Sequence, residues 1–69
     1  MIEIKIDTDY IKLDQFLKLT NLVQTGGHAK IIIRDGLVKV NGEECRQRGK
    51  KLRGKDIIEV KDHDKFIIV

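Results

Sequence analysis

The segment TGGHAKIIIRDGLVKVNG, in the middle of the chain, constrains the fold more than any other stretch. Thr25 is a favourable helix N-cap, because its hydroxyl can accept a hydrogen bond from an unpaired backbone N–H, and Gly26-Gly27 leaves that end uncrowded. Gly36 can end the helix in the left-handed conformation, and Leu37–Val40 then leads into Asn41-Gly42, a strong two-residue hairpin signal. The segment therefore predicts a helix that begins near its two adjacent glycines, then a strand that returns through a tight turn.

The predicted central helix has one apolar face and one basic face. Ala29, Ile32 and Ile33 recur at helical spacing and form one apolar stripe. Lys30 and Arg34 lie one turn apart on a neighbouring face. We expect the apolar stripe to enter the core and the basic pair to face solvent.

Alternation and helical spacing predict the remaining elements. They are a strand at Ile2–Ile6, a helix at Tyr10–Leu19, and strands at Glu43–Arg48, Ile57–Val60 and Phe66–Val69. The resulting order is β-α-α-β-β-β-β, with the first strand at or near a sheet edge. Because the helices are consecutive and most strands follow one another, the order predicts an α+β fold with two short helices packed on a small antiparallel sheet.

Length and composition predict one small domain, residues 1–69. Cys45 is the single cysteine and cannot form an internal disulfide, and the chain has neither a signal-peptide pattern nor a long apolar run. We therefore expect a monomeric cytoplasmic protein without a membrane partner. Tyr10, Phe16 and Phe66 are the only aromatic residues, which are too few for a broad stacking platform.

Positive charge is concentrated in the middle of the chain. The formal net charge is only +3, but residues 25–55 carry nine Lys or Arg against three Asp or Glu, whereas both ends are slightly negative. Six of the ten residues in Arg46–Lys55, here called the basic segment, are Lys or Arg. Guanidinium and ammonium groups in such density suit a polyanion, and the alternative is a solvated basic hairpin without a partner.

Other candidate sites are weaker. Gly26-Gly27 at a helix start can form a phosphate-binding nest or simply a tight helix entry, and His28 can hydrogen-bond a partner or lie unused on the surface. Cys45, His28 and His63 are too scattered for a zinc pattern, and no nucleophile motif is present. The sequence therefore predicts no enzyme activity, no metal and no cofactor, with Cys45 a half-buried, inert thiol.

Several ordered stretches resemble the RNA-binding domain of small-subunit ribosomal protein S-four, the αL RNA-binding motif. The resemblance covers roughly residues 2–60 and is strongest to small stand-alone bacterial members of the YaaA/YbcJ type. The stretches that carry it are Tyr10-Ile11, Leu13–Lys18, Thr25–Lys30, Ile33–Glu43, Arg48–Leu52 and Asp56–Val60. Many family members have arginine at the positions of Lys12 and Gly26, and glycine directly before the aspartate at position 56, where this chain has Lys55.

The resemblance implies a module that binds structured RNA, with ribosomal RNA as partner and a role in ribosome assembly or maturation on a subunit or assembly intermediate. Recognition is expected through backbone phosphates and shape, because double-stranded RNA hides its base edges in a deep groove. The alternative is a protein-interaction module whose basic hairpin docks an acidic partner. The expected RNA-binding residues are Lys12, Gly26, Gly27, His28, Lys30, Arg34, Arg46, Arg48, Lys50, Lys51 and Arg53.

Overall fold

A computed structural model describes all residues from Met1 to Val69 and contains two helices and seven short strands. In chain order they are β1 (Ile2–Ile4), β2 (Ile11–Lys12), α1 (Leu13–Leu19), α2 (Gly26–Arg34), β3 (Val38–Val40), β4 (Glu43–Glu44), β5 (Lys51–Leu52), β6 (Ile57–Val60) and β7 (Lys65–Ile68). The predicted α+β class and element order are confirmed, with β2 and β5 as additional two-residue strands.

Five strands form one sheet in the order β1-β7-β6-β3-β4, with β1 at the edge as predicted. Neighbouring strands are antiparallel except β1 and β7, which run parallel with Ile2 opposite Phe66 and Ile4 opposite Ile68. The small sheet is antiparallel as predicted except for this one parallel pair, which makes it mixed. Alternation reveals which face of a strand is buried, but it carries no information about the direction of the partner.

The two additional strands pair with each other in a separate antiparallel ladder. Ile11 lies opposite Leu52 and Lys12 lies opposite Lys51. The helix predicted at Tyr10–Leu19 consequently begins only at Leu13, because the residues before it are extended and pair with β5. Lys12 is the N-cap of α1 but makes no side-chain capping bond.

The core is aliphatic, with one aromatic pair. Phe16 of α1 meets Phe66 of β7 edge to face, with ring centroids 5.9 Å apart, so this contact ties the first helix to the sheet. Every buried residue is apolar. The core comprises Leu13, Phe16, Leu17, Val23, Ala29, Ile33, Val38, Val40, Leu52, Ile58, Val60, Phe66 and Ile68.

Both ends of α2 follow the sequence signals. The Thr25 hydroxyl accepts a hydrogen bond of 3.1 Å from the backbone N–H of His28. At the other end Gly36 has a φ of +77°, and the N–H of Leu37 reaches back to the carbonyl of Ile32 at 3.2 Å. This pairing satisfies a carbonyl that the helix leaves free and turns the chain into β3.

The turn between β3 and β4 is also as predicted. Asn41 and Gly42 have φ values of 53° and 85°, as a two-residue turn with two left-handed residues requires. The Asn41 side chain also binds the start of β6, because its Oδ1 accepts from the N–H of Ile57 at 2.9 Å. The hairpin is thus fixed to the neighbouring strand of the sheet.

Lys55 lies in the left-handed region, which favours glycine, with a φ of 76°. Its N–H donates to the carbonyl of Ile68 at 2.7 Å, so the conformation is held by the sheet. A side chain in this region costs about 1 kcal/mol or more relative to glycine. We expect Lys55→Gly to be more stable than Lys55→Ala, which loses the same charge, by about 1 kcal/mol in urea unfolding. Equal stability of the two variants would contradict the backbone assignment.

Ile33 tests the predicted faces of α2. Its side chain is only 1% exposed in the core, whereas Lys30 is exposed. We expect Ile33→Asp to unfold the domain, since an unpaired buried charge costs several kcal/mol, comparable to the whole stability of a small domain. Lys30→Ala should change the melting curve, followed by circular dichroism, by less than about 0.5 kcal/mol. Similar melting of both variants would mean that the faces are misassigned.

Candidate nucleic-acid interface

The basic segment does not continue the sheet but caps the first helix. The carbonyl oxygen of Lys50 accepts from the N–H of Leu13 at 2.9 Å, and that of Arg48 accepts from the N–H of Asp14 at 3.1 Å. These donors belong to the first turn of α1, where a helix leaves N–H groups unpaired. The strand predicted at Glu43–Arg48 therefore ends at Glu44. The N–H of Cys45 still reaches the carbonyl of Val38, but the backbone from Arg48 onward bonds α1 instead. The Arg48 and Lys50 side chains remain exposed.

The ladder of β2 and β5 aligns further cations around one aromatic ring. Lys12 and Lys51 are directly opposite and exposed, while their neighbour Leu52 is buried. Tyr10 and Arg53 lie two residues from these lysines, so alternation places all four side chains on the outer side of the ladder. The Lys51 Nζ lies 4.9 Å and the Arg53 Cζ 5.7 Å from the centre of the Tyr10 ring.

Tyr10 is not among the predicted site residues, because helical spacing places it at the start of a predicted helix. The available signal was the alternation of Tyr10 and Lys12 about Ile11, which is typical of a half-buried strand. The same alternation recurs in Lys51 and Arg53 about a buried leucine. Pairing the two short patterns would have located the ring among the cations.

Arg34 and Arg46 meet at the end of α2. The Arg46 Nη1 donates to the carbonyl of Arg34 at 3.2 Å, and its Nε donates to the Glu44 carboxylate at 2.9 Å. The Arg34 Nε lies 3.8 Å from the carboxylate of Asp35. Both guanidinium groups are therefore exposed but share their charge with an acidic neighbour, unlike the cations of the ladder.

Gly26, Gly27, His28 and Lys30 occupy the start of α2, and no hydrogen bond or ion pair joins them to the basic segment. A Cβ at Gly26 would meet nothing within 4 Å, and one at Gly27 would meet only the Thr25 hydroxyl at 3.9 Å. The fold therefore has room for a side chain at both positions. The His28 backbone N–H is used in the helix cap, while its side chain and that of Lys30 face solvent.

Most of the predicted cations have no acidic partner. The structure contains three ion pairs, Arg34–Asp35, Arg46–Glu44 and Lys65–Glu59. The six predicted cations outside these pairs are all exposed: Lys12, Lys30, Arg48, Lys50, Lys51 and Arg53. Their charge is available to an external anion, because no internal carboxylate neutralises it.

The rest of the surface carries grooves of mixed charge. One groove runs along β4 and the basic segment and mixes Glu43, Glu44 and Asp56 with Arg46 and Lys50. No three metal-binding side chains lie together. Neither helix has the length and apolarity that crossing a membrane requires.

Comparison with known proteins identifies the fold. The sequence profile of the S4 domain matches residues 4–69, which is nearly the whole chain. The chain belongs to the S4 domain family. The resemblance stated from the sequence is thereby confirmed, and the helices, basic segment and ladder described above are parts of an S4 domain.

Three similar proteins differ in how much of their own length this S4 domain covers. It is 42% identical over 66 residues to the probable ribosome maturation protein RlbA of Bacillus subtilis, covering 96% of this chain and 93% of that protein. It is 36% identical over 53 residues to an uncharacterized RNA pseudouridine synthase of Aquifex aeolicus, but covers only 17% of that protein. The 30S ribosomal protein S4e of Thermoplasma acidophilum superposes with a TM-score of 0.58 at 26% identity, over 78% of this chain and 29% of that one.

The open space at Gly27 generates a stability prediction. Gly27→Ala should raise the free energy of unfolding by about 0.4–1 kcal/mol, because alanine restricts the unfolded chain and the new Cβ meets no obstacle. The matched control is Gly36→Ala, where φ is +77° and the Cβ would lie 2.8 Å from the Glu44 carboxylate. That variant should lose stability in the same denaturant titration. A loss at both positions would show that the fold itself requires glycine at the start of α2.

Proposed function

We propose that this S4 domain is a non-enzymatic RNA-binding module of the cytoplasm that acts as a monomer on structured ribosomal RNA during ribosome assembly or maturation. The observation that carries the proposal is the set of six exposed cations without acidic partners. The name of the Bacillus relative, which has nearly the same length, supports the ribosomal role.

The basic segment is the centre of the proposed interface. Its backbone is fixed by the two hydrogen bonds to α1, while Arg48 and Lys50 extend into solvent. A fixed backbone lowers the conformational entropy that binding would otherwise cost, because only the side chains need to become ordered. Arginine can then bind phosphate oxygens through two parallel N–H groups, and lysine adds a mobile charge.

The start of α2 and the arginines at its end contribute further proposed contacts. Gly26 and Gly27 present backbone N–H groups without a covering side chain, so a phosphate can approach closely. Lys30 and Arg34 follow on the exposed side of the same helix, and His28 supplies a hydrogen-bonding group. Arg46 binds the Arg34 carbonyl at the end of α2, and its side chain is exposed.

Recognition through phosphates and shape fits the composition of this surface. Tyr10 is the only exposed aromatic side chain, since Phe16 and Phe66 are buried. A surface poor in aromatic groups has little with which to stack splayed bases, whereas cations suit the backbone of an A-form helix. We therefore propose salt-sensitive binding with little sequence preference.

A salt titration with matched charge variants tests the proposal. Binding of a ribosomal RNA hairpin is measured at several salt concentrations for the wild type and for Arg48→Ala/Lys50→Ala. Each lost phosphate contact should lower the slope of log affinity against log salt by roughly 0.7–0.9. We expect this variant to lose about tenfold or more in affinity and one to two units of slope, with an unchanged melting temperature.

The control is Lys5→Ala/Lys61→Ala, which removes the same charge from exposed lysines outside the proposed interface. It should retain most of the affinity and slope. Equal weakening by both variants would mean that attraction is diffuse. If the wild type does not bind RNA but binds an acidic protein through the basic segment, the protein-interaction alternative would be favoured.

A further inference from the structure

Lys12 and Lys51 form a like-charge pair that the fold itself does not compensate. They are opposite each other in an antiparallel ladder, where directly facing side chains are close and like charges repel. Arg53 adds a third positive charge on the same side, and none of the three forms an ion pair. Asp9 lies in the same shallow groove as Lys12 but is not paired with it.

The ring of Tyr10 is the one group that holds two of these cations. The Lys51 Nζ and the Arg53 Cζ both lie within cation–π distance of its centre, at 4.9 and 5.7 Å. No hydrogen bond within the protein joins the phenol hydroxyl to either cation, and both cations lie over the ring. The Thr8 hydroxyl bonds the Tyr10 carbonyl at 2.8 Å and fixes the backbone at this residue.

We propose that Tyr10, Lys12, Lys51 and Arg53, here called the ladder cluster, form a discrete site for one phosphodiester group of the RNA backbone. Tyr10 is the positioning residue of this site. Long cationic side chains lose rotamer freedom when they bind an anion. The negative face of the ring restricts Lys51 and Arg53 beforehand, and Lys12 completes the site from the facing strand. This inference rests on the proposed RNA-binding function. It adds Tyr10 to the proposed interface as a residue that acts on RNA only by positioning Lys51 and Arg53.

Two substitutions of Tyr10 separate the ring from the hydroxyl and from mere bulk. Tyr10→Phe keeps the ring face and should bind an RNA hairpin like the wild type. Tyr10→Leu keeps an apolar side chain but removes the face, and should weaken binding about threefold to tenfold and lower the salt slope. Its melting temperature should stay within about 3 °C of the wild type, since the residue is 37% exposed.

A double-mutant cycle distinguishes positioning from direct stacking of a base on Tyr10. In a Lys51→Ala/Arg53→Ala background the ring has no cation to hold, so Tyr10→Leu should cause no further loss of affinity. The same loss in both backgrounds would overturn the proposal, because Tyr10 would then act on the RNA or the fold directly. Failure of Tyr10→Phe to retain affinity would overturn it as well.

Two further comparisons distinguish the ladder cluster from the RNA-binding function as a whole and identify the anion that the cluster binds. If Tyr10→Leu binds like the wild type while Arg48→Ala/Lys50→Ala is weakened, RNA binding stands and the ladder cluster is not a site. If neither variant changes binding, the proposed interface fails as well, whereas absence of RNA binding by the wild type would overturn the proposed function itself. Inorganic phosphate at constant ionic strength should not displace the hairpin, and displacement would assign the cluster to free phosphate and overturn its assignment to RNA.

Discussion

The two hydrogen bonds from the first turn of α1 to the carbonyls of Arg48 and Lys50 decide where the positive charge lies. A helix of seven residues is too short to persist alone in water, and the basic segment has only Leu52 to bury. Each therefore depends on the other, with the helix supplying N–H donors and the segment supplying acceptors. Any change that loosens the start of α1 also releases the side chains that we propose contact RNA. Stability and binding are coupled here through the backbone and not through a shared side chain.

Electrostatics on this surface oppose folding and favour binding. Placing Lys12 opposite Lys51, with Arg53 nearby, raises the energy of the isolated domain because no carboxylate offsets the repulsion. At the end of α2 the situation differs, since Arg46 is paired with Glu44 and bonded to the Arg34 carbonyl. The structure thus distinguishes an arginine that joins secondary-structure elements, Arg46, from cations whose charge remains free to bind an external anion. Counting basic residues in the sequence cannot make this separation, because it depends on which carboxylates the fold brings near.

The parts of the fold that could be predicted are those specified locally. Thr25, Gly36 and Asn41-Gly42 each act through hydrogen bonds or backbone conformations within a few residues, and the structure retains all of them. The misassigned residues, Tyr10 to Lys12, depend on a partner forty residues away that is itself only two residues long. The parallel pairing of β1 likewise depends on where the last strand lies. Within the candidate site, the basic segment could be predicted from its content of Lys and Arg. The position of Tyr10 among the cations could not, because it depends on the register in which β2 and β5 pair.

The pairing of β1 with β7 joins the two ends of the chain, since Ile2 lies opposite Phe66 and the N–H of Val69 donates to the Ile4 carbonyl. Such a contact closes almost the whole chain into a loop, so it carries the largest closure entropy in the domain. The ladder of β2 and β5 spans a shorter loop, and the turn between β3 and β4 closes locally. In folding, β1 is therefore the strand most disposed to dock last and to fray first. The proposed binding surface lies within the part of the chain that can assemble before its ends meet.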